Sequence, residues 1–269
     1  MKSELEPTER AQPAKDSVLV DIDAAVAYVT MNRPAKRNAL SLAFMHELRD
    51  VFDALGADRR VGAVVLAANG PAYCSGHDLS EMLDRDMETY RGIFAACTAL
   101  MEKIQSIPQP VIAQVHGIAT AAGCQLVATC DLAVASQAAR FATPGVKIGL
   151  FCSTPMVALS RAVGRKKAME MLLTGQFISA REALEAGLVN RVVAADDLAA
   201  ATRTLAESIV QASAAVVEIG KQAFYRQIDM PQPEAYDYTA EVMARNAAAA
   251  QAHEGIEAFL QKRPARWPS

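Results

Sequence analysis

An alternation of two patterns limits what this chain can fold into. Apolar runs at residues 62–68, 111–115 and 132–135 take turns with segments whose apolar side chains recur at helical spacing. Short runs that are apolar on both faces suit strands of a parallel sheet covered on each side. The alternation holds to about residue 195. Beyond it the pattern is helical, with a break near Pro231 and Pro233. Strands alternating with helices, then helices alone, predict an α/β fold with a helical C-terminal subdomain.

Residues 18–22 and 26–31 are β-rich and read as a hairpin, which Asn32-Arg33-Pro34 ends because Pro34 cannot donate to a sheet ladder. Ser41 is placed to cap a helix running to about Leu55, with Leu42, Met45, Leu48 and Phe52 on one face. A second helix spans 89–107 and stops before Pro108 and Pro110. Residues 117–123 read as a small, flexible segment, 125–130 as a helix and 141–149 as irregular or extended. Short helices follow at 155–162, 166–173 and 180–186, then a strand at 189–193. Residues 1–16 are polar, carry Pro7 and Pro13, and read as a disordered leader. The core is then expected over 17–200 and the helical subdomain over 201–269.

Charge and cysteine usage exclude several functions. Lys plus Arg is 27 and Asp plus Glu is 30, so 27 − 30 gives −3, which argues against a broad nucleic-acid surface. No apolar run reaches the roughly 18 residues of a membrane helix. The five cysteines are odd in number and form no C-x-x-C pair, so they read as buried thiols of a cytoplasmic protein. The four histidines are scattered, and no metal site is indicated.

Two loops carry the chemistry. One is Tyr73-Cys74-Ser75-Gly76-His77-Asp78-Leu79. The other runs from His116-Gly117 through Ala121-Ala122-Gly123-Cys124-Gln125. Each follows a buried strand and precedes a helix. Small residues let backbone N–H groups approach a ligand oxygen, and a helix N-terminus adds unpaired donors. Two such loops brought together can hold an oxyanion; small residues there also serve packing.

At these loops the sequence resembles the crotonase superfamily, the enoyl-CoA hydratase/isomerase family. The resemblance rests on Asn32-Arg33-Pro34 with Asn38-Ala39-Leu40, on Ser75-Gly76-His77-Asp78-Leu79, and on Pro110-Val111-Ile112-Ala113 leading to Gly123. It continues in Cys130-Asp131-Leu132, Arg161-Ala162-Val163-Gly164, Leu173-Thr174-Gly175 and the segment 255–263. It implies a spiral of strand-strand-helix units and trimers or dimers of trimers. It also implies an acyl-CoA thioester as ligand, lyase chemistry and a place in fatty acid metabolism. No separate cofactor is implied, since CoA is part of the substrate. The oxyanion donors would be the N–H groups of His77 and Ala122. CoA contacts would come from Ala35, Lys36, Arg37, Ser75, Asp78, Leu79 and Lys262, although Lys36, Arg37 and Lys262 also read as plain surface charge.

The sequence departs from the hydratase pattern twice. Gln125 and Gly145 stand where that pattern has its two glutamates. An amide holds a water but cannot take its proton, and Gly145 is expected to leave open space. Cys152 sits before an expected helix start at Thr154-Pro155, where a helix N-terminus would lower a thiol pKa and let it protonate an enolate or act as nucleophile; a small apolar thiol filling space is the plainer reading. Simple hydratase activity is therefore expected to be weak or absent. The alternatives are decarboxylation of a malonyl-type acyl-CoA, suggested by Ser75-Gly76-His77-Asp78, and non-catalytic acyl-CoA binding.

Overall fold

The computed structural model describes residues 17–268; the expected leader, 1–16, lies outside them. Six strands build the main sheet: β1 (Val18–Asp23), β2 (Val26–Met31), β3 (Ala63–Ala68), β5 (Val111–Val115), β7 (Leu132–Ser136) and β10 (Arg191–Val193), in that spatial order. β1 and β2 form the antiparallel hairpin, and every later pairing is parallel. A second sheet, absent from the sequence reading, joins β4 (Ala72–Cys74), β6 (Ile118–Thr120), β8 (Arg140–Ala142) and β9 (Ile178–Ser179). Thus 117–123, expected to be small and flexible, contains β6, and 141–149, expected to be irregular or extended, begins within β8.

Between the sheets' strands run α1 (Leu42–Ala57), α2 (Met87–Ser106), α3 (Ala122–Thr129), α4 (Ser153–Ala162), α5 (Arg165–Thr174) and α6 (Ala180–Ala186). The Ser41 hydroxyl caps α1 by accepting from the Phe44 N–H, a contact worth about 1 kcal/mol. α1 turns Phe44, Met45, Leu48 and Phe52 into the core that α2 and α3 share. Burying each such side chain contributes roughly 1.5–3 kcal/mol.

The C-terminal helices are α7 (Leu198–Val210), α8 (Ala214–Gln227), α9 (Gln232–Ala247) and α10 (Ala250–Leu260). α7 covers the other face of the main sheet, with Leu198 and Ala206 against Val65, Ile112 and Val134. The boundary expected at 200 therefore falls inside a helix that packs on the core. α8 is tied down by a buried ion pair. Lys221 Nζ lies 2.8 Å from Asp131 and donates to the carbonyls of Ile104 and Gln109. The same carboxylate accepts from Tyr225 and from the Val111 N–H. No helix among the described residues is long and apolar enough to cross a membrane.

Candidate functional site

The first loop leaves β4 and is held by the 33–41 segment. Leu40 donates from its N–H to the Gly76 carbonyl at 2.8 Å, and the Asp78 N–H donates to Leu40 at 3.1 Å. In a parallel pairing of this kind the residue between, His77, turns its own N–H to the opposite side. Asn38 braces the loop. It is fully buried, and its amide donates to the Asn69 and Ala72 carbonyls at 2.9 Å each while its oxygen accepts from the Arg33 N–H. The Arg33 guanidinium donates to the Ala39 carbonyl and the Ser41 hydroxyl and lies over the Phe44 ring. Arg33 and Asn38 thus brace the segment whose Leu40 forms the bridge to His77.

The second loop ends β6 with Ala121, at φ 51° and ψ −118°, a conformation alanine rarely adopts. The turn swings the chain into α3. Ala121 offers no capping side chain, and the first intrahelical bond is Gln125 N–H to the Ala121 carbonyl. The N–H groups of Ala122, Gly123 and Cys124 therefore have no acceptor within the helix. Gly123 lets α3 meet β4: a Cβ there would stand 2.1 Å from the Cys74 carbonyl oxygen. The loops are also joined by Thr120 Oγ1, which donates to the Ser75 carbonyl at 3.1 Å.

Together they border a cavity of about 410 Å³. Ser75, His77, Ala122, Gly145 and Cys152 line one part of it; Leu79, Met82, Phe94, Ile148 and Leu150 form an apolar wall. Among the described residues, no carboxylate lines it. The His77 ring packs edge-on against Phe94, centroids 5.5 Å apart. Burial lowers its pKa, with the Leu40 backbone acting weakly the other way, so the ring is neutral near pH 7. Neither ring nitrogen has a hydrogen-bond partner at proper geometry.

Two expectations need correction. Gly145 does not leave open space. A Cβ on it would lie 2.0 Å from the Leu150 carbonyl oxygen and 2.8 Å from Cys152 Sγ, because the chain folds back and Leu150 donates to the Gly145 carbonyl. Cys152 is the N-cap of α4, but its thiol pKa is raised, not lowered. Burial outweighs the nearby Gly145 N–H, so the thiol stays protonated.

The remaining expected residues lie outside the cavity. Gln125 is 5% exposed and its Oε1 accepts from the Cys97 thiol at 3.8 Å. Ala35 and Lys36 sit on an exposed 3-10 turn, and Arg37 follows it in the left-handed conformation. Asp78 caps the turn that Leu79 begins, accepting from the Ser80 N–H and hydroxyl. Lys262 is exposed just beyond α10. Sequence reasoning missed the strained Ala121 and the Leu150 carbonyl. An alanine before a helix with no Ser, Thr, Asp or Asn cap was the available signal for the first; the second is a backbone atom and left none.

Comparison with known proteins gives consistent matches. The family model described as enoyl-CoA hydratase/isomerase matches residues 21–269. The Mus musculus enoyl-CoA hydratase domain-containing protein 3, mitochondrial, is 47% identical over 242 residues, covering 89% of this chain and 80% of that protein. The crystal structure of its human counterpart superposes with a TM-score of 0.91 at 44% identity, over 93% of this chain and 100% of that one. That of an enoyl-CoA hydratase from Mycobacterium smegmatis gives 0.92 at 52% identity, over 94% and 99%. The architecture is the α/β crotonase fold. Relatives from mouse, frog, human and zebrafish are all named as mitochondrial, which overturns the cytoplasmic placement. Buried free thiols speak of a reducing environment and do not choose among compartments.

Proposed function

This chain belongs to the enoyl-CoA hydratase/isomerase family, and we propose that it binds an acyl-CoA thioester in the cavity and stabilises the thioester enolate. The thioester oxygen accepts from the His77 and Ala122 N–H groups. One observation supports the reading: His77 and Ala122, whose N–H groups have no acceptor in the bridge to Leu40 or within α3, both line one cavity, and among the described residues no carboxylate lines it. Such donors are fixed before the charge develops, and each is worth about 2.7–4 kcal/mol to a transition state. Ala35, Lys36, Arg37, Ser75, Asp78 and Leu79 serve the CoA portion, and Lys262 meets a phosphate across a subunit boundary. No separate cofactor is needed.

The chain falls in a subgroup without the two hydratase glutamates, so simple hydration is weak or absent. A positioned acid or base contributes about 10²–10⁴-fold, and the residues at both positions, Gln125 and Gly145, provide neither. Cys152, a buried protonated thiol on the cavity wall, is the proton source. The missing carboxylates favour a second reading, decarboxylation of a malonyl-type acyl-CoA. There the carbon–carbon bond breaks, carbon dioxide leaves with no base required, and its electron pair becomes the enolate. The Cys152 thiol then protonates the α-carbon and recovers its proton from water. Phe224, Tyr236, Met243, Phe259 and Leu260 are exposed on the C-terminal helices and support self-association as a trimer or dimer of trimers.

The test has three parts: acetyl-CoA binding by calorimetry, crotonyl-CoA hydration by loss of the conjugated absorbance, and carbon dioxide release from malonyl-type CoA esters. Binding with little hydration is expected. Robust crotonyl-CoA turnover would refute the low-hydratase reading. Absence of binding would refute the acyl-CoA reading, and binding with no turnover of any ester would leave a non-catalytic binder.

A further inference from the structure

A second cavity, of about 490 Å³, adjoins the first. The two share five lining residues, Leu79, Met82, Phe94, Ile148 and Leu150, all of them apolar. The residues that bring protic side chains to the first cavity, Ser75, His77, Lys147, Cys152, Ser153 and Thr154, do not line the second. Past the shared wall the second cavity continues along Leu83, Met87 and Tyr90. It opens to the surface there, since Leu83 is 71% and Met87 63% exposed. Its wall is tied in place: the Tyr90 hydroxyl donates to the Met82 carbonyl at 2.8 Å, and Asp86 caps α2 by accepting from the Thr89 N–H.

We propose that this groove receives the distal part of a long alkyl chain, so that the preferred thioester carries a medium- or long-chain fatty acyl group. The inference rests on the acyl-CoA reading above and adds the substrate's length and path. With the carbonyl oxygen at His77 and Ala122, a chain passing Met82 and Phe94 leaves the first cavity through the shared apolar wall and enters the groove. The CoA portion does not fit there, because its phosphates need cations and, among the described residues, no Lys or Arg lines the groove. The groove is continuous with the thioester's own cavity, which favours an alkyl tail over a separate apolar ligand. Leu83 and Met87 then set the chain length by covering methylenes that would otherwise stay in water.

The experiment measures affinities of free CoA, butyryl-CoA and dodecanoyl-CoA for wild type and for Leu83→Asp and Met87→Asp. Both side chains are exposed, so either variant folds; thermal melting checks this. Each methylene withdrawn from water is worth roughly a factor of four in affinity, reduced by the cost of ordering the chain. Dodecanoyl-CoA is expected to bind wild type at least about 100-fold more tightly than butyryl-CoA. Each variant should lose about 10-fold or more of that gain, with butyryl-CoA affinity changed by less than about twofold. Equal affinity for the two esters overturns the inference and leaves the acyl-CoA reading standing. A chain-length gain that survives both substitutions overturns the path through the groove. If neither CoA nor either ester binds, the acyl-CoA reading falls, and this inference with it.

Discussion

Replacing Gly76 with alanine tests how the two loops are fitted together. Gly76 has φ +95°, where a side chain is strained, and it lies between Ser75 and the His77 donor. A left-handed φ costs a residue with a Cβ roughly 1–2 kcal/mol. The added Cβ would also stand 2.9 Å from the Ala121 methyl and 3.1 Å from the Thr120 carbonyl oxygen. Overpacking of this kind costs roughly 1–3 kcal/mol. The sum, about 2–5 kcal/mol, is a large share of the 5–15 kcal/mol by which domains are stable. At about 2–4 °C per kcal/mol for a chain of this size, the melting temperature should fall by about 4–20 °C. Ala121→Gly removes the methyl that Gly76→Ala would strike and relaxes the Ala121 backbone, while adding unfolded-chain entropy, so alone it should be near neutral. The double variant should recover about 1–2 kcal/mol of clash but none of the φ cost. Urea unfolding of all four proteins measures that coupling. A single variant that loses less than about 0.5 kcal/mol, or a double variant no better than Gly76→Ala, would refute the reasoning.

Gly145→Glu, alone or with Gln125→Glu, should not create a crotonyl-CoA hydratase. Its Cβ would collide with the Leu150 carbonyl at 2.0 Å, so a lower melting temperature and flat absorbance traces are expected; a folded, active double variant would contradict this. Cys152→Ala should slow exchange of butyryl-CoA α-hydrogens in D2O about 100-fold while leaving binding intact, as read by NMR. Removing an α-hydrogen needs the thiolate, and burial raises the Cys152 pKa above its ordinary value of 9.0. The wild-type exchange rate should therefore still climb with pH beyond 9.0, and a plateau below that value would count against Cys152. Asp131→Ala leaves Lys221, whose side chain is 5% exposed, without its anion, and should cost about 3–5 kcal/mol in urea unfolding. Since Asp131 lies outside the cavity, acetyl-CoA affinity of the folded fraction should not change.

What could be read from the sequence follows a physical division. β3, β5 and β7 were legible because strands covered on both faces must be largely apolar, and α1 because Ser41 and its apolar stripe mark one start and one face. The second sheet was illegible: β4, β6 and β8 have three residues each and β9 has two, too few for any periodicity to appear. Yet that sheet aims both loops at the cavity. The loops were found through their small residues, and the close approach of Gly123 to Cys74 explains one of these directly. At Gly145 the same habit of reasoning failed. A missing side chain suggested space, whereas the Leu150 carbonyl had taken it. At Cys152 a local rule about helix ends lost to burial, a tertiary effect. In each case the residue type limits what a position can accept, and the backbone that arrives from elsewhere decides what it receives. Gly145→Glu with Gln125→Glu is therefore not expected to place two usable carboxylates in the cavity. The 149–152 segment would first have to withdraw from Gly145, and relatives whose segment is folded outward should accept a glutamate there where this chain does not.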